Sequence, residues 1–246
     1  MALVHDFLLK LGGAERVLKV FSEIFPNAPI YTLLYDEKIC SKIFPKSRVR
    51  TSFLQKMPEF LRKRQRYLLP LMPLAIESFD LSKFDIVLSS SNAYAHGALV
   101  SSNAKHICYC HSPMRYAWDY AHNYLDEQRN VGPARKFAIG RIMHNVRQWD
   151  QIAAERVDTY VANSHHVNRR IQKYYRRSSE VLYPPVDTRK FKVNSEHEDY
   201  FLIVSTLSPY KKVDLAVQLF NKIEKKLIII GDGSQLAYLR SIAAPN

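Results

Sequence analysis

Short apolar runs alternate with amphipathic segments along the whole chain, and this alternation restricts the fold more than any other feature. In the first part of the chain the runs of strand type are Met1–Val4, Asp85–Ser89, His106–Cys110, Val157–Ala162 and Val181–Tyr183. Ala14–Phe25 carries apolar residues at helical spacing until Pro26 ends the pattern. Strands that alternate with helices form βαβ units, so the sequence predicts an α/β fold with a mainly parallel sheet.

Two further helices follow the middle of the chain. Arg135–Arg156 has the pattern of a long basic helix. Ser164 is the expected N-cap of a helix that reaches about Tyr175, because a serine hydroxyl accepts hydrogen bonds from first-turn N–H groups.

Residues 187–199 are polar and lack periodicity, which predicts a linker between a domain at 1–186 and a second segment at 200–246. The elements expected in that segment are strand Tyr200–Ser205, helix Val213–Lys222, strand Lys226–Ile230 and a helix from about Ser234. Two strands are fewer than an open parallel sheet normally has. We therefore expect this second domain to be incomplete, either because the natural protein continues or because the sequence is truncated.

Composition excludes several classes. A hydrophobic fraction of 47% and a charged fraction of 24% are typical of a globular protein. No apolar run approaches the ~18 residues of a membrane-spanning helix, and the N-terminus lacks the pattern of a signal peptide. Three cysteines, Cys40, Cys108 and Cys110, do not form a disulfide framework, so we expect a reducing, cytoplasmic compartment.

The formal net charge is +13, which favours anionic partners without choosing among them. Residues 46–66 carry eight Lys or Arg residues against one acid, Glu59, with apolar residues between them. The apolar residues of this stretch and its end are Phe53, Leu54, Met57, Phe60, Leu61, Leu68 and Leu69. Such a mixture suits an anionic membrane surface, and a solvated basic helix end is the equal alternative.

A first candidate site follows the first strand, at Gly12-Gly13-Ala14-Glu15. Glycines let the backbone approach a ligand closely, and the N–H groups at a helix start suit a phosphate. A tight turn is the alternative. Its position favours a functional role, because sites in parallel α/β sheets lie beyond the carboxyl ends of the strands.

A second candidate follows the strand that ends at Cys110. His111, Arg115 and Trp118 supply a hydrogen-bonding group, a cation and a flat face, as sugar-binding sites do. A structural histidine is the alternative. His106 and the two nearby cysteines also suggest metal ligation, but no second ligand pair has zinc-like spacing, so we predict no metal.

A third candidate lies in the second segment. Lys211 and Lys212 follow one predicted strand, and Gly231-Asp232-Gly233 ends the next. Two cations and a glycine-rich turn beyond adjacent strands would form an anion site, whereas an ordinary turn before a helix is the alternative.

Five motifs occur in one order along the chain. They are Gly-Gly-Ala-Glu-Arg-Val-Leu from Gly12, Tyr-Cys-His-Ser-Pro-Met-Arg-Tyr-Ala-Trp-Asp from Tyr109, Tyr-Pro-Pro-Val-Asp from Tyr183, Pro-Tyr-Lys-Lys-Val-Asp from Pro209 and Ile-Ile-Gly-Asp-Gly from Ile229. Together they resemble the group-1 (family 4) retaining glycosyltransferases, and most closely the mannosyltransferases of bacterial O-antigen and capsular polysaccharide synthesis.

The resemblance implies the GT-B architecture, in which two Rossmann-like domains bind the acceptor and the nucleotide-sugar. His111 would then be the catalytic residue that hydrogen-bonds the transferred hexose, and Gly12 and Gly13 would contact the donor. Lys211 would neutralise the diphosphate leaving group, so no metal or other cofactor is implied. By position, Glu15, Arg115, Trp118, Lys212, Gly231 and Gly233 are the further expected substrate-binding residues.

Two departures from the family pattern bear on activity. Thr206 stands where the family usually places an Arg, so half of the expected phosphate clamp is missing. The family's paired glutamates would lie further along than this sequence, since no Glu or Asp follows Asp232. We therefore expect the 246 residues alone to be inactive.

The leading hypothesis is transfer of a hexose, with GDP-mannose as the expected donor, to a lipid-linked oligosaccharide at the inner face of the plasma membrane. The second is a non-catalytic, degenerate module that binds anionic lipid or a partner subunit. Nucleic acid is not an expected partner, because the basic residues accompany no nucleic-acid motif.

Overall fold

The computed structural model describes residues 1–119, 121, 132–193, 198–223 and 225–244. The chain divides into two compact units, Met1–Val186 and Asp187–Asn246, and each is described by itself.

The first unit is built on one parallel sheet of seven strands. The strands are β1 (Ala2–Leu8), β2 (Ile30–Tyr35), β3 (Val49–Thr51), β4 (Ile86–Ser91), β5 (Lys105–Cys110), β6 (Thr159–Ala162) and β7 (Ser179–Val181). Their order across the sheet is β3-β2-β1-β4-β5-β6-β7, and every neighbouring pair is parallel. This is a Rossmann-like arrangement, so the α/β fold predicted from the sequence is confirmed.

The first unit also contains α-helices. They are α1 (Gly13–Ile24), α2 (Glu37–Cys40), α3 (Glu59–Lys63), α4 (Met72–Glu77), α5 (Pro133–Glu155) and α6 (His165–Tyr175). Ser164 caps α6 as predicted, since its hydroxyl accepts from the N–H of Val167 at 3.2 Å. Within the described ranges, no helix has the length and apolar character needed to cross a membrane.

Two predicted strands are longer in the structure. β1 continues four residues beyond Val4 and so contains His5 and Asp6, which are both only 1% exposed. β4 continues through Ser89, Ser90 and Ser91, all of them buried. The sequence pattern ended both strands at polar residues, whereas the structure keeps those polar residues inside the sheet with hydrogen-bond partners.

Two strands were not predicted. β2 begins directly after Pro29, and the sequence analysis did not follow the apolar run behind the helix that Pro26 ends. β3 is three residues long and carries two exposed side chains, so it lacks a periodic signal. Both extend the sheet on the side of β1 that faces away from β4.

The basic stretch 46–66 is not one helix. It contains β3, a 3₁₀ turn at Phe53–Lys56, α3 and a 3₁₀ turn at Gln65–Tyr67. Leu54, and Leu68 just after the stretch, belong to the core. Phe53 is 37% exposed and Phe60 is 65% exposed. The expected apolar surface is therefore much smaller than the sequence indicated, because several of the interleaved side chains face inward.

The second unit contains β8 (Phe201–Val204), α7 (Val213–Phe220), β9 (Leu227–Ile230) and α8 (Leu236–Ile242). The two strands pair in parallel, as their sequence pattern predicted. Its small core consists of Leu207, Val213, Val217 and Leu239.

Candidate functional site

The order of the sheet marks the place where a ligand site is expected. From β1 the chain builds outward to β2 and β3, and from β4 it builds outward in the opposite direction. A crevice opens beyond the carboxyl ends of the strands where such an order reverses, and ligands of open α/β sheets bind there. This point lies between β1 and β4, in the register that pairs His5 with Ser90.

His111 lies directly after β5 and is held by its backbone and its ring. Its N–H donates to the carbonyl of Ser91 at 2.8 Å, and its carbonyl accepts from Nδ2 of Asn163 at 3.0 Å. The ring packs edge-on against Tyr109, with 5.2 Å between centroids. Its Nε2 lies 2.8 Å from Oγ of Ser90. The imidazole therefore has a fixed position at this edge of the sheet.

Ser90 connects His111 to a second histidine, His5 of β1. Nδ1 of His5 lies 3.0 Å from the carbonyl oxygen of Ser90 and 3.2 Å from its hydroxyl. Since a carbonyl oxygen only accepts, Nδ1 of His5 carries the proton. The other ring nitrogen, Nε2, lies 3.9 Å from Oε1 of Glu15.

Glu15 completes this polar chain at the start of α1. Its Oε2 accepts the N–H of Gly12 at 2.8 Å. A Cβ atom on Gly12 would lie 2.9 Å from the same oxygen, whereas a Cβ on Gly13 would meet nothing within 4 Å. A side chain at position 12 would thus displace the Glu15 carboxylate, whereas Gly13 leaves open space beside the helix start.

The two ends of the chain differ in protonation. Burial, with a smaller contribution from His5, lowers the pKa of His111 to about 4. Burial also opposes ionisation of Glu15, but the nearby His5 and the backbone N–H groups of Glu15 and Gly12 outweigh it and lower the pKa of that carboxyl. At neutral pH the site therefore presents a neutral imidazole of His111 that is hydrogen-bonded to Ser90, with His5 and the carboxylate of Glu15 beyond it.

The sequence analysis placed the glycine motif and His111 in two separate candidate sites, and the structure brings them together. The connecting residues, His5 and Ser90, were not singled out. The signal that could have found them is weak: a His-Asp pair that interrupts an apolar run and a strand that ends in three serines.

Asp6 is a further residue that the sequence analysis did not identify. Its buried carboxylate accepts four backbone N–H groups, from Asn92, Ala93, Tyr94 and Ala95, at 2.6 to 3.2 Å. Four charge-assisted hydrogen bonds to one carboxylate fix the turn after β4 against β1. Asp6 therefore shapes the site without entering it.

The segment from His111 to Trp118 is anchored at both ends. Nε1 of Trp118 donates to Oδ2 of the buried Asp150 at 2.7 Å, and its ring stacks on Tyr174 with 4.8 Å between centroids. Arg170 donates to the hydroxyl of Ser112. Arg115 is exposed in the middle of the segment. The indole N–H of Trp118 is thus already engaged, and sugar contact by Trp118 or Arg115 stays a prediction.

The side chains that suggested a metal site are either protonated thiols or hydrogen-bonded to other residues. Burial raises the pKa of Cys108 to about 12 and that of Cys110 well above its ordinary value, so both are thiols at neutral pH. Nε2 of His106 lies 2.9 Å from Oγ of Ser89. Across the residues that the structure describes, no group of three or more His, Cys, Asp or Glu side chains could hold a metal ion.

In the second unit the loops after β8 and β9 interlock. The N–H of Leu207 donates to the carbonyl of Asp232 at 2.8 Å. A Cβ on Gly231 would lie 1.8 Å from the carbonyl oxygen of Ser205, and Gly233 has a φ of +154° that side chains disfavour. Both glycines are thus required by this close approach, whatever else they contact.

Two exposed lysines of this unit, Lys211 and Lys212, lie on the first of these loops. Lys211 lies over the ring of Tyr210, with Nζ 5.3 Å from its centroid, and Lys212 adopts a left-handed conformation before α7. Thr206 is exposed at the end of β8. An anion site at these lysines stays a prediction.

Comparison with known proteins identifies the class. The sequence profile described as Glycosyltransferase Family 4 matches residues 11–190, a range that includes the glycine motif, Glu15 and His111. The match spans most of the chain, which therefore belongs to this family of glycosyltransferases. Among proteins of curated function, none matches the sequence.

A solved structure is also similar. It is described as the glycotransferase of kitacinnamycin, and the match covers 99% of this chain and 70% of that one, with 11% sequence identity and a TM-score of 0.39.

Proposed function

We propose that this protein is a retaining hexosyltransferase that moves mannose from GDP-mannose to a lipid-linked saccharide during synthesis of a surface polysaccharide. The observation that carries the proposal is the fixed, neutral imidazole of His111 at the edge where the strand order reverses. It is hydrogen-bonded to Ser90, and His5 and Glu15 lie beyond that serine. Membership of Glycosyltransferase Family 4 supports a nucleotide-sugar and an acceptor as its substrates.

His111 is suited to hold a sugar hydroxyl. When the Ser90 hydroxyl donates to Nε2, the single proton of the neutral ring lies on Nδ1 and is available to a ligand. A neutral donor binds a hydroxyl without attracting the diphosphate to the wrong position. The low pKa of His111 keeps the ring in this state throughout the physiological range.

The reaction needs charge stabilisation on the leaving group. In the proposed step the bond from C1 of the hexose to the phosphate oxygen breaks, and the acceptor oxygen bonds to C1 on the same face. The acceptor's proton passes to the departing phosphate oxygen. Lys211 and Lys212 are the cations proposed to stabilise the diphosphate, so the step requires no metal or nucleophilic side chain.

The proposed acceptor is lipid-linked because of the exposed aromatic residues in stretch 46–66. Phe60 is 65% exposed on α3, which ends in Arg62 and Lys63. An aromatic side chain among cations suits the headgroup region of an anionic membrane.

Transfer is tested with labelled GDP-mannose and a lipid extract, on protein expressed from its native gene. His111→Ala is expected to lower the transfer rate by ~100-fold, the loss typical of a hydrogen bond made to the reacting group. His144→Ala is the matched control, because His144 is exposed on α5. Unchanged transfer by the His111 variant would remove this residue from the site, and competition by an unlabelled non-mannosyl donor would change the proposed sugar.

Membrane contact is tested by flotation with vesicles of phosphatidylglycerol and phosphatidylcholine. Phe60→Ser is expected to reduce the bound fraction, and Phe137→Ser, which alters a Phe 78% exposed on α5, is expected to leave it unchanged. Equal loss in both variants, or binding to neutral vesicles alone, would contradict docking through stretch 46–66.

Thr206 favours a second candidate, a degenerate module that binds anionic lipid or a partner subunit without catalysis. A threonine cannot supply the bidentate contact of an arginine to a diphosphate. Vesicle binding with no transfer from any nucleotide-sugar would favour this second function.

A further inference from the structure

A cavity of about 830 Å³ lies in the first unit beyond the carboxyl ends of β1, β2 and β3. It is separate in its lining from the residues of the His111 site. Its volume lies within the range of roughly 300–1,000 Å³ that small-molecule sites have. Leu9 follows β1, Tyr35 and Asp36 end β2, and Thr51 ends β3, so the sheet itself forms one wall.

The rest of the lining comes from the other residues of stretch 46–66 and from the start of α2. The charged lining residues are Lys38, Lys46, Arg62, Lys63, Asp36, Glu37 and Glu59. Four are cations and three are anions, which leaves a formal charge of +1 on the lining of a chain whose formal charge is +13. Positive and negative charges are therefore nearly equal in number on the cavity lining, whereas cations clearly outnumber anions in the chain as a whole.

Two of the cations already have anionic partners. Nζ of Lys46 lies 2.8 Å from Oε2 of Glu37, and Nζ of Lys63 lies 2.8 Å from Oε1 of Glu59. A phosphate would have to compete for these cations and would face three carboxylates. Such a lining is unfavourable to a multiply charged anion, since like charges at short range repel.

A saccharide fits this mixture of groups. Each sugar hydroxyl both donates and accepts, so it can donate to a carboxylate and accept from an ammonium, guanidinium or amide at the same time. Gln55 and Gln65 add amide groups to the lining, and Leu9 and Val49 add apolar surface for the C–H groups of a pyranose ring.

The floor of the cavity is held rigidly. Nε2 of Gln55 donates to the carbonyl of Tyr35 at 3.0 Å, and its Oε1 accepts the N–H of Tyr35 at 2.9 Å. The hydroxyl of Tyr35 donates to the carbonyl of Phe44 at 2.8 Å. A side-chain amide that closes both backbone groups of one residue fixes the end of β2 before any ligand arrives, which reduces the entropy lost on binding.

We propose that this cavity binds an uncharged saccharide unit of the acceptor. The inference rests on the proposed function, since it takes a glycan to be the acceptor. Helix α3 connects the two parts of such a molecule: Glu59 and Arg62 line the cavity, and Phe60 between them is exposed. The sugar and the lipid of one acceptor can therefore be bound by neighbouring residues of one helix.

Binding is measured directly, without donor or transfer, by methyl-labelled NMR on the 246-residue chain. The probes are the methyl glycosides of glucose, mannose and N-acetylglucosamine at millimolar concentration, with inorganic pyrophosphate as the anionic probe. We expect at least one glycoside to shift the methyl signals of Leu9 and Val49 with a millimolar Kd, and pyrophosphate to leave them in place.

Two substitutions of lining residues test the cavity, and one matched substitution outside it controls for charge. Glu59→Gln and Gln65→Ala should each weaken glycoside binding at least threefold. Glu23→Gln should not, although Glu23 is also an exposed glutamate paired with a lysine one helical turn away, Lys19 of α1. Pyrophosphate shifts without glycoside shifts would make this an anion site and overturn the inference, as would glycoside binding that is equal in all three variants.

This outcome is distinguishable from that of the proposed function. Glycoside shifts in a protein without transfer activity would leave the cavity assignment intact and contradict only the reaction. Active transfer with no glycoside shift at Leu9 or Val49 would contradict only the cavity assignment.

Discussion

The hydroxyl of Ser90 lies 2.8 Å from Nε2 of His111 and 3.2 Å from Nδ1 of His5, so one serine joins two histidines that are 106 positions apart in the sequence. Its neighbour Ser89 is equally buried and pairs with a different histidine, His106, outside the site. The two serines form a natural pair of test and control.

Ser90→Ala is expected to lower transfer by about tenfold, because it removes a hydrogen bond that orients His111 rather than the contact with the sugar. Ser90→Ala and Ser89→Ala should each lower the free energy of unfolding by ~1 kcal/mol, but Ser89→Ala should leave transfer unchanged. Steady-state kinetics and urea unfolding of both variants check this. Equal losses of transfer would mean that Ser90 acts only through stability.

The two glycines at the start of α1 should respond in opposite ways to alanine. In Gly12→Ala the new Cβ lies 2.9 Å from Oε2 of Glu15 and displaces the carboxylate from His5, so transfer should fall about tenfold. Gly13→Ala enters open space in a helix and should raise the free energy of unfolding by about 0.5–1 kcal/mol. If a ligand uses that space, the same variant raises KM for the nucleotide-sugar.

The control for these glycines is Gly140→Ala in α5, where an added Cβ also meets nothing within 4 Å. It should raise stability as Gly13→Ala does, with KM unchanged. A KM that is unchanged in Gly13→Ala as well would mean that no ligand approaches the start of α1.

Asp6→Asn should destabilise the first unit by about 2–4 kcal/mol, because an amide nitrogen cannot accept and leaves buried N–H groups without an acceptor. Asp36→Asn is the matched control. Asp36 accepts two N–H groups, from Lys38 and Ile39, at an exposed helix start, so its loss should be about 1 kcal/mol. Urea unfolding of both variants decides, and a smaller loss for Asp6→Asn would contradict its role as the anchor of the turn after β4.

Stability should fall in acid before carboxylates are protonated. Burial lowers the pKa of both His106 and His111 from 6.5 to about 4. Between these values the unfolded chain binds more protons than the folded one, so the free energy of unfolding falls as pH falls from 6.5 to 4, by on the order of 3 kcal/mol for each histidine. Stability is fully present above pH 6.5.

Urea unfolding from pH 4 to 7 measures this slope. His106→Asn should reduce it by about half, since it removes one of the two histidines whose lowered pKa produces the slope. His144→Asn, at an exposed position on α5, should leave it unchanged. A slope that persists in full without His106 would assign the acid sensitivity to other groups.

The sequence predicted the elements that have a periodic signal and missed the contacts that join them. α1 and the strands around His111 were predicted because burial of one face or one strand leaves a repeat in the sequence. β3 was missed because a three-residue strand with two exposed side chains has no repeat. Contacts such as His5 to Ser90 span 85 positions and leave no local pattern.

The residues of the site were likewise predicted only in part. Gly12, Glu15 and His111 were identified from motifs, and the structure places them at one edge of the sheet. His5 and Asp6 were missed because polar residues after a short apolar run were taken as the end of a strand. Both side chains are buried inside β1, because residues far along the chain supply their hydrogen-bond partners.

The three consecutive serines of β4 also determine which alignment of this strand is possible. Ser89 pairs with His106, Ser90 with His5 and His111, and Ser91 with His96, whose Nδ1 lies 3.3 Å from its hydroxyl. A slip of one residue would still place a serine at two of the three positions, so the ends of the serine run decide the register. In one direction Leu88 would take the place of Ser89 and leave the buried His106 without its hydroxyl partner. In the other direction Asn92 would take the place of Ser91, and its N–H would move away from Oδ2 of Asp6. The register of β4 is therefore fixed by the two residues that border the serines.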